Sequence, residues 1–174
     1  GLAVAAAKKV GGQRRIVLGD DPRPARIPLS LAQQRMWFLN RFDMESAAYN
    51  IPVAIRLSGG LDVAALRAAV GDVVARHEPL RTVYPLDGDG PIQRILSSEN
   101  VADVEVVDVT EDRIVAEVSA LANTSFDVTT EVPIRVRLYR LSESDYVLAF
   151  VVQHISADGG SMAPLTRDLM VAYS

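Results

Sequence analysis

Cysteine is absent from the 174 residues and histidine occurs only twice. The first absence excludes disulfides and thiolate metal sites, and two histidines in no recognised ligand spacing cannot build a His-rich metal centre. Long apolar runs are also missing: no stretch approaches the roughly 18 uncharged residues of a spanning helix. The apolar start, Gly1 to Val10, has no basic residues ahead of it, as an export signal requires. A cytoplasmic location is therefore expected. Basic residues are in deficit, with 18 Lys and Arg against 22 Asp and Glu and a formal net charge of −4. A dedicated nucleic-acid binder needs a broad basic face, so neither nucleic acid nor membrane is an expected partner. What is plentiful is apolar, 49% of all residues. At about 150 residues per domain, this composition predicts one folded domain with a substantial core.

Residues 1–27 differ from the rest. An Ala-rich start gives way to Lys8, Lys9, Gly11, Gly12, Arg14 and Arg15, then to Asp20, Asp21, Pro22, Arg23, Pro24 and Arg26. Such a run cannot bury one face, so it reads as an interdomain linker with a solvated basic cluster, ahead of a folded unit at 28–174. Ser30 followed by Gln33 is a capping-box arrangement and predicts a helix from Leu31 to about Phe42. In Tyr49 to Leu57, Ile51, Val53, Ile55 and Leu57 alternate with other residues as in a half-buried strand, and Pro52 points to a sheet edge. Asp62 should cap a helix that turns Leu66, Val70, Val73, Val74 and His77 inward.

Leu80 to Tyr84 and Pro91 to Leu96 flank Asp87-Gly88-Asp89-Gly90, a hairpin composition. Val101 to Val109 is a strand candidate. A helix is expected from Thr110 with Ile114, Val115, Val118, Leu121 and Ala122 aligned. Ile134, Val136 and Leu138 make a one-sided strand, whereas Val147 to Val152 run unbroken, as in a central strand covered on both faces. Beyond the turn at Asp158, Gly159 and Gly160, a last helix should open at Ser161 and turn Met162, Leu165, Leu169 and Ala172 inward. The alternation predicts an α/β (α+β) two-layer sandwich, a mixed sheet with packed helices.

The chemistry-bearing residues gather at that last turn. A buried strand delivers His154 to a Gly-rich loop where a side chain can face a cavity, and an imidazole there can take or hold a proton near physiological pH. A core histidine bonded to backbone is the competing reading. Asp158 either shapes the loop through backbone N–H groups or pairs with an arginine. Ser161 has no G-x-S-x-G elbow and is better read as a helix cap than as a nucleophile. Arg76 and Arg81 flank His77 at a helix end, where basic groups favour the helix dipole, and both are candidate partners for Asp158. Trp37 is expected to pack in the core or at a lobe interface.

Three segments together resemble the condensation domains of nonribosomal peptide synthetases, whose fold is similar to chloramphenicol acetyltransferase. Ser30 to Leu39 resembles the family's opening S-x-A-Q-x-R-(L/M)-W-x-L, and Arg76 to Tyr84 resembles R-H-E-x-L-R-T-x-F with Tyr84 in place of Phe. Gln153 to Gly159 resembles the active-site H-H-x-x-x-D-G, followed by the expected Ser161. Gln153 replaces the first histidine of the pair and leaves His154, the one the family credits with catalysis. Gly160 stands where a larger residue is usual.

The resemblance covers Pro28 to Tyr173, whereas complete members have two lobes around a tunnel. It implies the amino-terminal lobe of one, inactive by itself. Its implied partners are upstream and downstream peptidyl carrier proteins, the C-terminal lobe and a neighbouring adenylation domain. No cofactor would be bound directly; the phosphopantetheine arms of the carriers would deliver the substrates. The implied reaction is acyl transfer to an amine, forming an amide between two carrier-bound thioesters. A thioester is already activated and an α-amine has a pKa of about 8, so His154 either acts as a base or positions the amine. The resemblance further gives Asp158 a structural ion pair, with Arg76, Arg81 or an arginine of the C-terminal lobe as partner, and Gly159 close backbone packing beside the tunnel. An epimerisation domain and a non-catalytic recruiting domain of the same fold are the alternatives.

Overall fold

The computed structural model describes residues 23–98 and 104–174. The basic cluster at residues 8–15 and the start of the strand expected from Val101 lie outside them. In chain order the elements are β1 (Ile27–Pro28), α1 (Leu31–Phe42), β2 (Asn50–Ser58), α2 (Val63–Arg76), a 3-10 turn (Glu78–Arg81), β3 (Thr82–Val83), β4 (Leu86–Asp87), β5 (Gly90–Ile95), β6 (Glu105–Asp108), α3 (Ile114–Ala122), β7 (Ile134–Ser142), β8 (Asp145–Gln153) and α4 (Gly159–Tyr173).

The main sheet runs β2-β8-β7-β6, antiparallel except for the parallel pair β6 and β7. Because side chains alternate along a strand, β8 serves two cores at once. Leu148, Phe150 and Val152 join one core with Leu66, Val70, Val73 and Val74 of α2 and Leu165 and Leu169 of α4. Val147, Ala149 and Val151 join the other with Ile114 and Leu121 of α3, against which Met36 and Trp37 of α1 pack. Helices therefore cover both faces of the mixed sheet, a fuller layering than two layers, and this is why the β8 sequence shows no polar alternation. β2, at the sheet edge, keeps the half-buried alternation and tolerates Pro52. A smaller sheet pairs β1, β3 and β4 with β5, and its hairpin turn places Gly90 at φ 123°, a conformation few other residues adopt.

Local signals set the helix starts. The Ser30 hydroxyl accepts the Gln33 N–H while the Gln33 side chain accepts the Ser30 N–H. Asp62 accepts from the N–H groups of Ala64 and Ala65. Helices α2 and α4 pack antiparallel: the Tyr173 hydroxyl meets the Asp62 N–H at 3.1 Å, and His77, just past the other end of α2, meets Asp168 of α4 at 2.9 Å.

Five expectations need correction. Leu80 and Arg81 lie in the 3-10 turn rather than a strand, because Pro79 at its first turn has a fixed φ and no N–H to give a ladder. Helix α3 starts at Ile114, after a turn closed by the Arg113 N–H on the Thr110 carbonyl. On it Val115 faces solvent at 74% exposure while Ile114 and Leu121 are buried. In α4, Ala172 is exposed and Tyr173 packs instead. The second face of β7 is also used, since Tyr139 is fully buried. At the end of the segment read as a linker, Arg23 pairs with Glu78 and Arg26 with Asp87, and Ile27 lies opposite Gln93 in the small sheet.

Candidate active site

The turn after β8 is fixed almost entirely through backbone groups. Gln153, 3% exposed, donates its N–H to the Pro133 carbonyl at 2.9 Å, and its own carbonyl accepts the Ser156 N–H at 3.0 Å. Its side-chain oxygen accepts the Ile155 N–H. Where the family pattern has a first histidine, this chain has a buried carboxamide that closes the turn on itself. The His154 N–H donates to the Tyr49 carbonyl at 2.9 Å, extending the β2 to β8 pairing by one residue. Ile155 is buried in the second core, and the Ser156 hydroxyl meets the Tyr84 hydroxyl at 3.0 Å. With Gln153 and Ile155 both inward, the His154 side chain is left exposed to solvent. Among the described residues His154 is therefore not the backbone-bonded core histidine of the competing reading.

Asp158 is the N-cap of α4, with extended backbone at φ −133° and ψ −177°. Its carboxylate accepts the Ser161 N–H at 2.9 Å and the Ser161 hydroxyl at 2.7 Å, and the Asp158 N–H donates back to Ser161 Oγ at 3.1 Å. Ser161 is thus the third helical residue of a reciprocal capping box rather than the cap itself. Asp158 is the stronger cap because its carboxylate accepts two bonds at once, so the helix opens at Gly159. Among the described residues neither Arg76 nor Arg81 pairs with Asp158. Arg76 instead reaches Asp168 at 3.2 Å, and Arg81 bonds the Leu96 carbonyl and approaches Glu78 at 3.7 Å. A Cβ at Gly159 would meet nothing within 4 Å, so the close packing expected there is not made among the described residues.

The Ser161 hydroxyl, the Ser161 N–H, the Gly160 N–H and, last, nearby His154 hold the Asp158 carboxyl below its ordinary value. A carboxyl lowered in the folded state stabilises the fold above its unfolded pKa, about 4, and loses that contribution as the pH falls through the depressed value. The deficit of an Asp158→Ala variant against wild type should accordingly be full at pH 7 and shrink towards pH 2. Urea unfolding of both proteins across that range checks it; a deficit independent of pH would remove the carboxylate charge from the account.

Beside the turn runs a groove of about 350 Å³, lined by His77 and Leu80 together with Ser156, Ala157, Ser161 and Met162. The sequence left His77 as a helix-end residue, whereas the fold gives it a partner. Asp168 can only accept, so Nε2 of His77 carries the hydrogen in their 2.9 Å bond. That bond, followed by Arg167 and Arg76, holds the Asp168 carboxyl below the usual range. Ninety-odd residues separate the two positions, and no spacing rule could have joined them. Trp37 donates its indole N–H to the Tyr84 carbonyl at 2.8 Å, as part of the packing expected of it. Among the described residues no group of three or more His, Asp or Glu side chains could hold a metal ion, and no helix is long and apolar enough to cross a membrane.

The sequence model of the condensation domain matches residues 25–174. The chain is 48% identical over 152 residues to CymA, a probable nonribosomal peptide synthetase of Salinispora arenicola, covering 87% of this chain and 2% of that protein. It is 47% identical over 157 residues to the isonitrile lipopeptide synthase of Mycobacterium tuberculosis, covering 87% of this chain and 6% of that protein. In structure it is similar to the X-domain from teicoplanin biosynthesis, solved in complex with OxyB. That likeness has a TM-score of 0.87 at 41% identity over 94% of this chain and 35% of the X-domain chain.

Proposed function

From this chain's membership of the condensation-domain family of nonribosomal peptide synthetases, we propose that it forms the amino-terminal lobe of a domain that joins two carrier-bound thioesters through an amide bond. The α-amine of the acceptor attacks the donor thioester carbonyl, the C–N bond forms, the C–S bond breaks, and the donor carrier's thiol leaves with one proton. His154 is the catalytic residue, either accepting a proton from the amine or holding it by a hydrogen bond. Asp158 and Ser161 fix the helix start behind it, Gln153 closes the turn that presents it, and Gly159 faces the tunnel. Arg76 and Arg81 brace the neighbouring helix end rather than Asp158. Residues 1–27 act as the linker from a preceding carrier domain, reaching the lobe through Arg23 and Arg26.

The observation that supports this reading most is the exposed imidazole on a turn whose backbone groups are bonded within the sheet and cap. The test is dipeptidyl product formation by the complete synthetase, both carriers loaded, with and without His154. The lobe supplies one wall of the tunnel and the C-terminal lobe the other, so the chain alone, mixed with loaded carriers, should give no product above the thioester background. Product formation by the isolated chain would overturn the two-lobe requirement.

A second reading is favoured by one finding. The X-domain similar to this chain was solved bound to OxyB, and Gln153 breaks the histidine pair. A lobe that recruits another protein instead of catalysing would keep the fold and lose any dependence of product formation on His154.

A further inference from the structure

We propose that His77 is a positioning residue for the reaction, fixing the place of helix α4 along α2 through its bond to Asp168 and so setting where the turn holds His154. This rests on the catalytic reading of His154. Three features support it. First, His77 is itself immobilised: its N–H donates to the Val73 carbonyl at the end of α2, and its carbonyl accepts the Leu80 N–H of the 3-10 turn. Second, its ring joins the only two-sided polar register between the helices among the described residues. Tyr173 ties the far end of α4 to Asp62, His77 and Arg76 tie its middle at Asp168, and the helix otherwise meets the core through the apolar side chains of Leu165 and Leu169, which set no polar register. Arg76 is the weaker partner, its side chain 74% exposed against 32% for His77. Third, α4 begins at the Asp158 cap, four residues after His154, and His77 lines one groove together with Ser156, Ala157 and Ser161 of the turn and cap. A shift of α4 along its axis would move the cap, the turn and the groove wall together. Misplacement of a reacting group by about 1 Å, even from a change far from the chemistry, can cost about 10²-fold in rate.

The test is steady-state condensation by the complete synthetase with loaded carriers. His77→Leu is expected to lower kcat about 10-fold with KM for both carriers within about twofold, because the bond acts on the placement of the turn and not on a carrier. His77→Gln, whose Nε2 can still donate to Asp168, should recover most of that loss. Asp168→Leu, which also releases Arg76, should be at least as slow as His77→Leu, and the double variant should be no slower than Asp168→Leu alone, since the shared bond is lost only once. A His77→Leu enzyme with wild-type kcat, or a His77→Gln enzyme as slow as His77→Leu, overturns the proposal. If His77→Leu does not fold, Asp168→Leu against His77→Gln decides by the same criteria. His154→Ala is run beside them. If it remains active, the catalytic reading fails; if it is inactive while His77→Leu is not impaired, the positioning role alone fails.

Discussion

Substituting His154 with alanine in the complete synthetase should lower condensation by about 10²- to 10³-fold, the range for loss of a positioned proton acceptor or charge-stabilising donor. The structure makes this a clean experiment. The side chain is exposed, and the bonds that hold the turn come from the His154 N–H, the Gln153 carboxamide and the Gln153 and Tyr49 carbonyls, none of which the substitution removes. The change in stability should stay within about 0.5 kcal/mol, as for other exposed positions. Melting temperature and loading of both carriers should therefore match wild type while the dipeptidyl product disappears. Undiminished product would leave the recruiting reading in its place. A loss shared by stability and rate would show that the imidazole supports the turn, contrary to its exposed setting.

The largest effect on stability is expected from Phe150→Ala. Phe150 is 3% exposed at the middle of β8, opposite Val53 on one neighbour and Val136 on the other. It also borders a small apolar gap of about 20 Å³ with Leu148, Val136 and Leu165. Removing the ring joins its own volume to a space lined only by apolar side chains, which water cannot enter favourably. Loss of buried surface plus the enlarged cavity should cost about 3–5 kcal/mol, a large part of the roughly 5–15 kcal/mol that holds a domain together. The urea midpoint should fall accordingly, with an unchanged slope. A variant that loses less than about 1 kcal/mol would mean that α2 and α4 collapse into the space.

Much of this fold can be read along the chain where a local rule acts alone. The Ser30 and Gln33 box, the Asp62 cap and the alternation in β2 each depend on residues within a few positions, and each is found where the pattern puts it. The unbroken run in β8 told of two covered faces before any helix was placed. The pattern misled where two local rules compete. Asp158 and Ser161 are both good caps, and only the folded backbone shows that the carboxylate takes the end while the hydroxyl returns the bond. Val115 shares its helical face with apolar neighbours, but nothing packs over it. The turn after β8 and the place of His154 on it were legible. The bonds of His77 to Asp168 and of Tyr84 to Ser156 were not, because each joins residues more than seventy positions apart that only the packing of distant elements brings together.

The pairing of β2 with β8 also bears on how the protein is made. Asn50 lies opposite Gln153, so the edge strand waits for a partner roughly a hundred residues downstream. At ribosomal speeds of about 5–20 residues per second, that is a wait of order 5–20 s. During it the apolar stripe of β2 has no sheet to join, and α2 and the small sheet around β5 are the units able to form. Chaperone binding to the nascent chain should accordingly rise once β2 leaves the exit tunnel and fall when β8 follows it. Codon changes that slow synthesis between the two strands should lower the yield of folded protein more than equal changes placed before β2.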